Sequence, residues 1–329
     1  MNGTESEETG IFASQYGSWY GPSFLAVSVI GIISNSVVAT AFIFKILPLS
    51  PFCVLLLNLS VSDIIINIFM LPSFFLRTSA YSDIKQPYLT SFMCGVVFYY
   101  LPARSSFIVN VATVAYVSFI RSTTFDVNDR GRLLDAKTVK WFVVCSWILA
   151  LLFHSPWYFM YELNLTTGHC SPKYPKVYSI YHASQVTLAY IILEIILVTN
   201  MVRSVRNMWK KSISPNSIIL QQRCRITSLL FVLGVVYIAL CFPVSVVMIM
   251  EASGFFKSVH LFNDVYLPSV LVVYLTTVTD PFMYAFYWKG FRDGFMPSRR
   301  TKTEPSTRDR RDTEMSAVST TASSSTMSK

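Results

Sequence analysis

The side chains able to bind metal or act as nucleophiles are few and scattered. Six cysteines stand at Cys53, Cys94, Cys145, Cys170, Cys224 and Cys241, and four histidines at His154, His169, His182 and His260. No two histidines are close enough in sequence to share a metal ion on one helix face. There is no Gly-x-Ser-x-Gly and no phosphate-binding glycine loop. No catalytic, metal or cofactor constellation emerges, and an enzyme is not expected. A different chemistry stands out. Asp63, Arg104, Glu194 and Asp280 are single ionisable groups, each set in a long apolar run. An ionised group in hydrocarbon is costly, so it must pair, face a protein interior or line a wet cavity. Such groups suit a polar switch rather than bond making.

The elements that position them are membrane spans. The 329 residues are 53% hydrophobic and 14% charged, with a mean hydropathy of +0.47. Soluble domains carry about 25% charge, and disordered chains are poor in aromatics, which here reach 15%. A helix crossing hydrocarbon needs about 20 apolar residues. Seven stretches qualify: 22–44, 52–76, 95–120, 141–161, 177–202, 226–250 and 265–288. The expected fold is an all-α membrane protein, a seven-transmembrane helix bundle.

Charge sets the orientation. One side of the spans holds 21 Lys and Arg residues and the other only five. Basic residues favour the cytosolic side, so the N-terminus is expected outside and the C-terminus in the cytosol of a plasma-membrane protein. The net charge of +9 therefore reflects topology, not binding to nucleic acid. Glu5, Glu7 and Glu8 fit an outer N-terminal segment, and no cleavable signal peptide is expected before the first span. Asn2-Gly3-Thr4 and Asn164-Leu165-Thr166 are glycosylation sequons on the outer side, making Asn2 and Asn164 candidate glycan sites. Asn58-Leu59-Ser60 also matches but lies inside a span. Cys94 and Cys170 alone fall at or beyond the outer face, so they are natural disulfide partners in an oxidising exterior.

With these marks in order, the chain resembles the rhodopsin-like (class A) G-protein-coupled receptors from about residue 22 to 296. The marks are Gly31-x-x-x-Asn35, Leu59-x-x-x-Asp63 with Pro72, Cys94, Trp147 with Pro156, Pro243, and Asp280-Pro281-Phe282-Met283-Tyr284. Phe291-Arg292-Asp293-Gly294-Phe295 follows like the family's short cytosolic amphipathic helix. The resemblance implies a receptor that couples an extracellular ligand to a heterotrimeric G protein. Asn35, Asp63, Arg104, Asp280 and Tyr284 would form its polar switch network. Pro156, Pro243 and Pro281 would kink its helices. Arg104 is expected beside Asp63, in place of the sodium ion many members hold there; the alternatives are snorkelling outward or pairing with Glu194.

Three positions depart from the family pattern. Counted from Cys94, the acidic-Arg-Tyr slot falls on Ser118-Phe119-Ile120, with Arg121 next to it. Coupling is therefore expected to be weak or atypical, with Phe119, Arg121, Arg223 and Arg225 as the candidate G-protein face. The Cys-Trp-x-Pro of the sixth span reads Leu240-Cys241-Phe242-Pro243, leaving Tyr237 or Phe242 to replace the indole. The fifth span has no proline and carries Glu194.

The ligand pocket is expected among Phe74, Arg77, Tyr99, Leu101, His182, Gln185, Met248, Tyr266 and Tyr274, an aromatic surface with a few polar groups. Leu101 and Pro102 stand where amine receptors carry an aspartate, and Tyr274 stands where opsins carry the retinal lysine. A peptide is thus favoured over an amine or retinal, with another small molecule as the further option. Residues 1–21 form the extracellular segment, 22–288 the bundle, 289–297 the short helix and 298–329 a disordered tail. That tail holds 15 Ser and Thr residues, suited to receptor kinases and to arrestin. Basic residues near 203–211 suit contact with anionic membrane lipids or a G protein. The alternative function is a receptor-fold protein without normal coupling, a scavenger or arrestin-only receptor; a seven-span transporter is more remote because no internal repeat is seen.

Overall fold

The structure, a computed structural model, describes residues 20–44, 50–75, 94, 101–124, 135–164, 169–172, 177, 180–181, 184–185, 187–211, 218–253, 255 and 259–287. The helices are α1 (Tyr20–Ile43), α2 (Pro51–Phe75), α3 (Leu101–Thr124), α4 (Ala136–His154), the short α5 (Pro156–Met160), α6 (Leu193–Lys211), α7 (Ile218–Ala252) and α8 (Val259–Tyr287). A π-helical turn, Thr187–Ile192, leads into α6. Between α5 and that turn, β1 (Tyr161–Asn164) pairs antiparallel with β2 (His169–Pro172), with Asn164 opposite His169. This hairpin adds the one departure from an all-helical chain among the described residues.

Among the described residues, six stretches are long and apolar enough to cross a membrane: Gly21–Ile43, Pro51–Leu71, Leu101–Ile120, Ala136–His154, Phe231–Glu251 and Asp264–Phe286. The π turn and α6 cover residues 187–202 of the remaining expected span, 177–202. The helices are apolar on both sides. Ile30, Ile33, Leu149, Leu152 and Ile195 face outward while Phe42, Leu55, Leu59, Val114, Leu197 and Tyr284 are buried. Only a hydrocarbon solvent makes such an outer surface stable. The core takes side chains from α1, α2, α3, α4, α6, α7 and α8, with α3 at its centre.

Two glycines permit close helix approach. A Cβ at Gly31 would come within 2.6 Å of the Asn67 amide of α2. One at Gly234 of α7 would come within 2.5 Å of the Met201 sulfur of α6.

Helix ends depart from the expected spans for physical reasons. α4 starts at Ala136 and α7 at Ile218, ahead of the apolar runs. Helical hydrogen bonding does not stop where hydrocarbon stops, and the exposed Lys137 and Lys140 extend α4 into a polar environment. α4 stops at His154 rather than at residue 161, because Pro156 has no N–H to continue the ladder. Ser155 closes the helix by donating its N–H to the Leu151 carbonyl at 2.8 Å. Pro156 then opens α5, as suits a residue preset for the first helical position. Pro243 lies within α7, and Pro268 and Pro281 within α8.

Candidate functional site

Asn58, Ser62, Asp63 and Asn67 recur along one side of α2, and all four are buried. Buried polar groups must find partners, and these find them on other helices. Trp147 of α4 donates its indole N–H to Asn58 Oδ1 at 2.9 Å, while Asn58 Nδ2 donates to Thr113 Oγ1 of α3 at 2.9 Å. Asn110 of α3 donates from Nδ2 to Asp63 Oδ1 at 2.6 Å. The Ser62 hydroxyl bonds Asn110 Oδ1. Asn67 donates to the Asp63 carbonyl at 2.8 Å, and the Thr277 hydroxyl of α8 faces Asn67 Oδ1 at 3.4 Å. Asn35 of α1 donates to the Thr277 carbonyl at 2.6 Å and to the Gly31 carbonyl at 3.0 Å.

The result is polar wiring that reaches α1, α2, α3, α4 and α8. Asp280 is buried in α8, close enough for its charge to act on Asp63, and both carboxylates act on the buried Tyr284. Asp63 Oδ2 has no hydrogen-bond partner among the described residues. The sequence singled out Asn35, Asp63, Asp280 and Tyr284. It missed Asn58, Asn67, Asn110, Thr113 and Thr277, which make most of the connections. The available signal was an uncharged amide or hydroxyl deep inside an apolar run.

Arg104 does not join this wiring. The α3 residue at Asp63 is Asn110, six positions further on. Six residues advance a helix by about 9 Å and leave the side chains roughly 120° apart around it. Arg104 instead lies with its guanidinium carbon 4.8 Å from the ring centroid of Trp157. Its charge acts on His154, Tyr181 and Glu251. Trp157 in turn donates its indole N–H to Gln185 Oε1 at 2.6 Å, and Tyr181 packs against Trp157 at 5.7 Å between centroids. Glu194 takes a hydrogen bond from Ser245 of α7 at 2.9 Å.

The inner end of α3 is also in a different register from the one counted from Cys94. Phe119 is 37% exposed and faces away from the bundle. Val114 and Val117 are buried, and position 121 continues their line at i+7 and i+4. Cys94 has π-helical geometry, so a count through Cys94 loses the α phase. In α7 the choice between two aromatics is likewise resolved. Phe242 is 59% exposed, whereas Tyr237 is buried and stacks on Phe107 of α3 at 6.2 Å.

Of the expected pocket residues, Gln185 joins Trp157 and Arg104. Met248 and Tyr274 are packed into the core, Tyr274 edge-on to Phe24 of α1 at 5.5 Å. Leu101 and Tyr266 are half-buried. Arg77, Tyr99, His182 and Asn2 lie outside the described residues, as do the side chains of Phe74, Arg121, Asn164, Cys170, Arg223 and Arg225. Cys94 is buried and disulfide-bonded, while Cys53, Cys145 and Cys241 are free.

Residues 34–284 match the model of the 7 transmembrane receptor (rhodopsin family). The chain belongs to the rhodopsin family of seven-transmembrane receptors. Galanin receptor 2a of Danio rerio is 25% identical to it over 254 residues, 73% of this chain and 66% of that relative. The chain thus matches just under two thirds of that relative's length. As a rhodopsin-family receptor it is a multi-pass membrane protein, and the wiring around Asp63 runs through the matched region.

Proposed function

We propose that this receptor carries an extracellular signal to a heterotrimeric G protein, with its N-terminus outside and its C-terminus in the cytosol. The observation that carries the reading is the buried wiring around Asp63, which links α2 to α1, α3, α4 and α8 beside Pro281, a proline inside α8. Polar links in a low-dielectric bundle hold one helix packing, and a proline kink lowers the cost of a second. A ligand binding one packing better would shift the balance.

A peptide is the favoured ligand class, supported by the mixed aromatic and polar pocket residues and by a relative named as a galanin receptor. Arg121, seven and four positions after the buried Val114 and Val117 of α3, takes the part of the family's inner arginine, with Arg223 and Arg225 on the same cytosolic side. This favours ordinary coupling over the scavenger or arrestin-only alternative. The Ser- and Thr-rich tail is the candidate substrate for receptor kinases and the docking segment for arrestin. Cys94 pairs with Cys170, since the other cysteines on the described side chains are free and Cys224 lies on the cytosolic side. Asp63 and Asp280 present carboxylate oxygens, one with no partner among the described residues, and this donor set suits the sodium ion held by many members of the family.

Nucleotide exchange and arrestin recruitment in cells expressing the full chain test the proposal, using galanin and a peptide library as probes. Agonist-driven exchange is expected, with Arg121→Ala lowering it at least tenfold and Phe119→Ala leaving it within about twofold. Arrestin recruitment without exchange would favour the alternative.

A further inference from the structure

The outer cluster around Arg104 has chemistry that the wiring does not use. We propose that Arg104 and Gln185 form a docking point for a carboxylate of the ligand. This deepens the receptor reading and rests on it. Arg104 is half-buried and lies 4.8 Å from the centroid of the Trp157 ring. An indole face holds a guanidinium in place by cation–π attraction. The planar fork then offers donors matched to the two oxygens of a carboxylate.

Gln185 supplies the second, independent observation. It is 5% exposed, and its Oε1 accepts the Trp157 N–H at 2.6 Å. An indole nitrogen only donates, so the amide orientation is fixed: oxygen toward Trp157, nitrogen away from it. Nε2 is buried with no partner in hydrogen-bond geometry among the described residues. The nearby Tyr181 hydroxyl gives its proton to the Phe153 carbonyl, and its oxygen can take one of the two Nε2 N–H groups, which leaves the other. A buried amide donor without an acceptor is costly and is normally satisfied.

Both groups donate and one is cationic, so the complementary ligand group is an anionic acceptor. A cationic amine would be repelled. Glu251 of α7 interacts electrostatically with Arg104. It is the internal counter-charge that a ligand carboxylate must compete with. Since Arg104 is on α3, Trp157 on α5 and Glu251 on α7, an acid bound there draws three elements together.

The test is thermal unfolding of the purified full-length receptor with matched acid and amide probes. Indole-3-acetate against indole-3-acetamide reports a small organic acid; N-acetyl-tetra-alanine as free acid against its C-terminal amide reports a peptide terminus. At least one acid should raise Tm with a saturating dose response, while its amide does not. Arg104→Lys and Gln185→Leu should each weaken the apparent affinity about tenfold. Glu251→Gln should strengthen it. No shift with either acid, equal shifts with the amides, or full retention in both weakening variants would overturn the proposal. The acid–amide comparison on the unmodified chain decides even where a variant fails to fold. No transducer is present, so a chain that binds the acid without driving exchange would fail the coupling reading and leave this one intact.

Discussion

Asn58 joins three helices through one side chain, taking the indole proton of Trp147 and giving its own to Thr113. Replacing it by alanine strands the N–H of a half-buried indole. The expected cost is about 1–3 kcal/mol, seen as a lower Tm. With Trp147→Phe already in place, Asn58→Ala should cost measurably less, and a double-mutant cycle isolates the coupling. The carboxylates make a separate prediction. With Arg104 held at Trp157, the charge beside Asp63 is left for a small cation. Sodium chloride should stabilise the protein more than choline chloride does; Asp63→Asn should abolish that difference and Arg104→Ala should keep it. At this scale the sequence exposed the charged residues, because a charge in an apolar run is conspicuous. The amides and hydroxyls that wire them together were not conspicuous. Asn110 and Thr277 have ordinary neighbours, and only the packed helices reveal what they face.

Among the elements, the path from the π turn through α6 to α7 departs most from the family's pattern. No proline bends the fifth span. A π turn widens Thr187–Ile192 instead, and two residues later Glu194 reaches Ser245, itself two residues past Pro243. The turn breaks the regular ladder, and the link ties the helix beyond it to α7. A hydrogen bond to a charged group contributes about 1.5–3 kcal/mol. Ser245→Ala should therefore lower Tm by several degrees, and Glu194→Gln, which keeps an acceptor, by less. The spans themselves were legible because each needs its own apolar run. Their ends were not, since α4 and α7 continue as helices beyond hydrocarbon, and Pro156 ends α4 earlier than hydropathy alone implies. The slip at Ser118-Phe119-Ile120 has the same origin: residue counting keeps phase only through an unbroken α-helix.

Across the whole molecule, topology follows from the distribution of charge and cysteine. The side expected to face the cytosol carries 21 basic residues against five on the other. An epitope placed before α1 should therefore bind antibody on intact cells, and one after residue 300 only after permeabilisation. Non-reducing peptide mapping of the same surface protein should recover Cys94 linked to Cys170; a free thiol at Cys94 would contradict the bond in the structure.

The burial of Asn58 has a further consequence during biosynthesis. Asn58-Leu59-Ser60 is a complete glycan acceptor sequence. In the folded receptor its amide is occupied by Thr113 and Trp147, and its position within α2 keeps it from any enzyme in the aqueous lumen. A nascent chain whose second span slips through the translocation channel instead of entering the bilayer would present that asparagine to the glycosylation machinery. The added sugar would then prevent the segment from ever returning to hydrocarbon. The residue that ties α2 to its neighbours thus also makes a topological error in that helix permanent, and marks the failed chain with a change in mass.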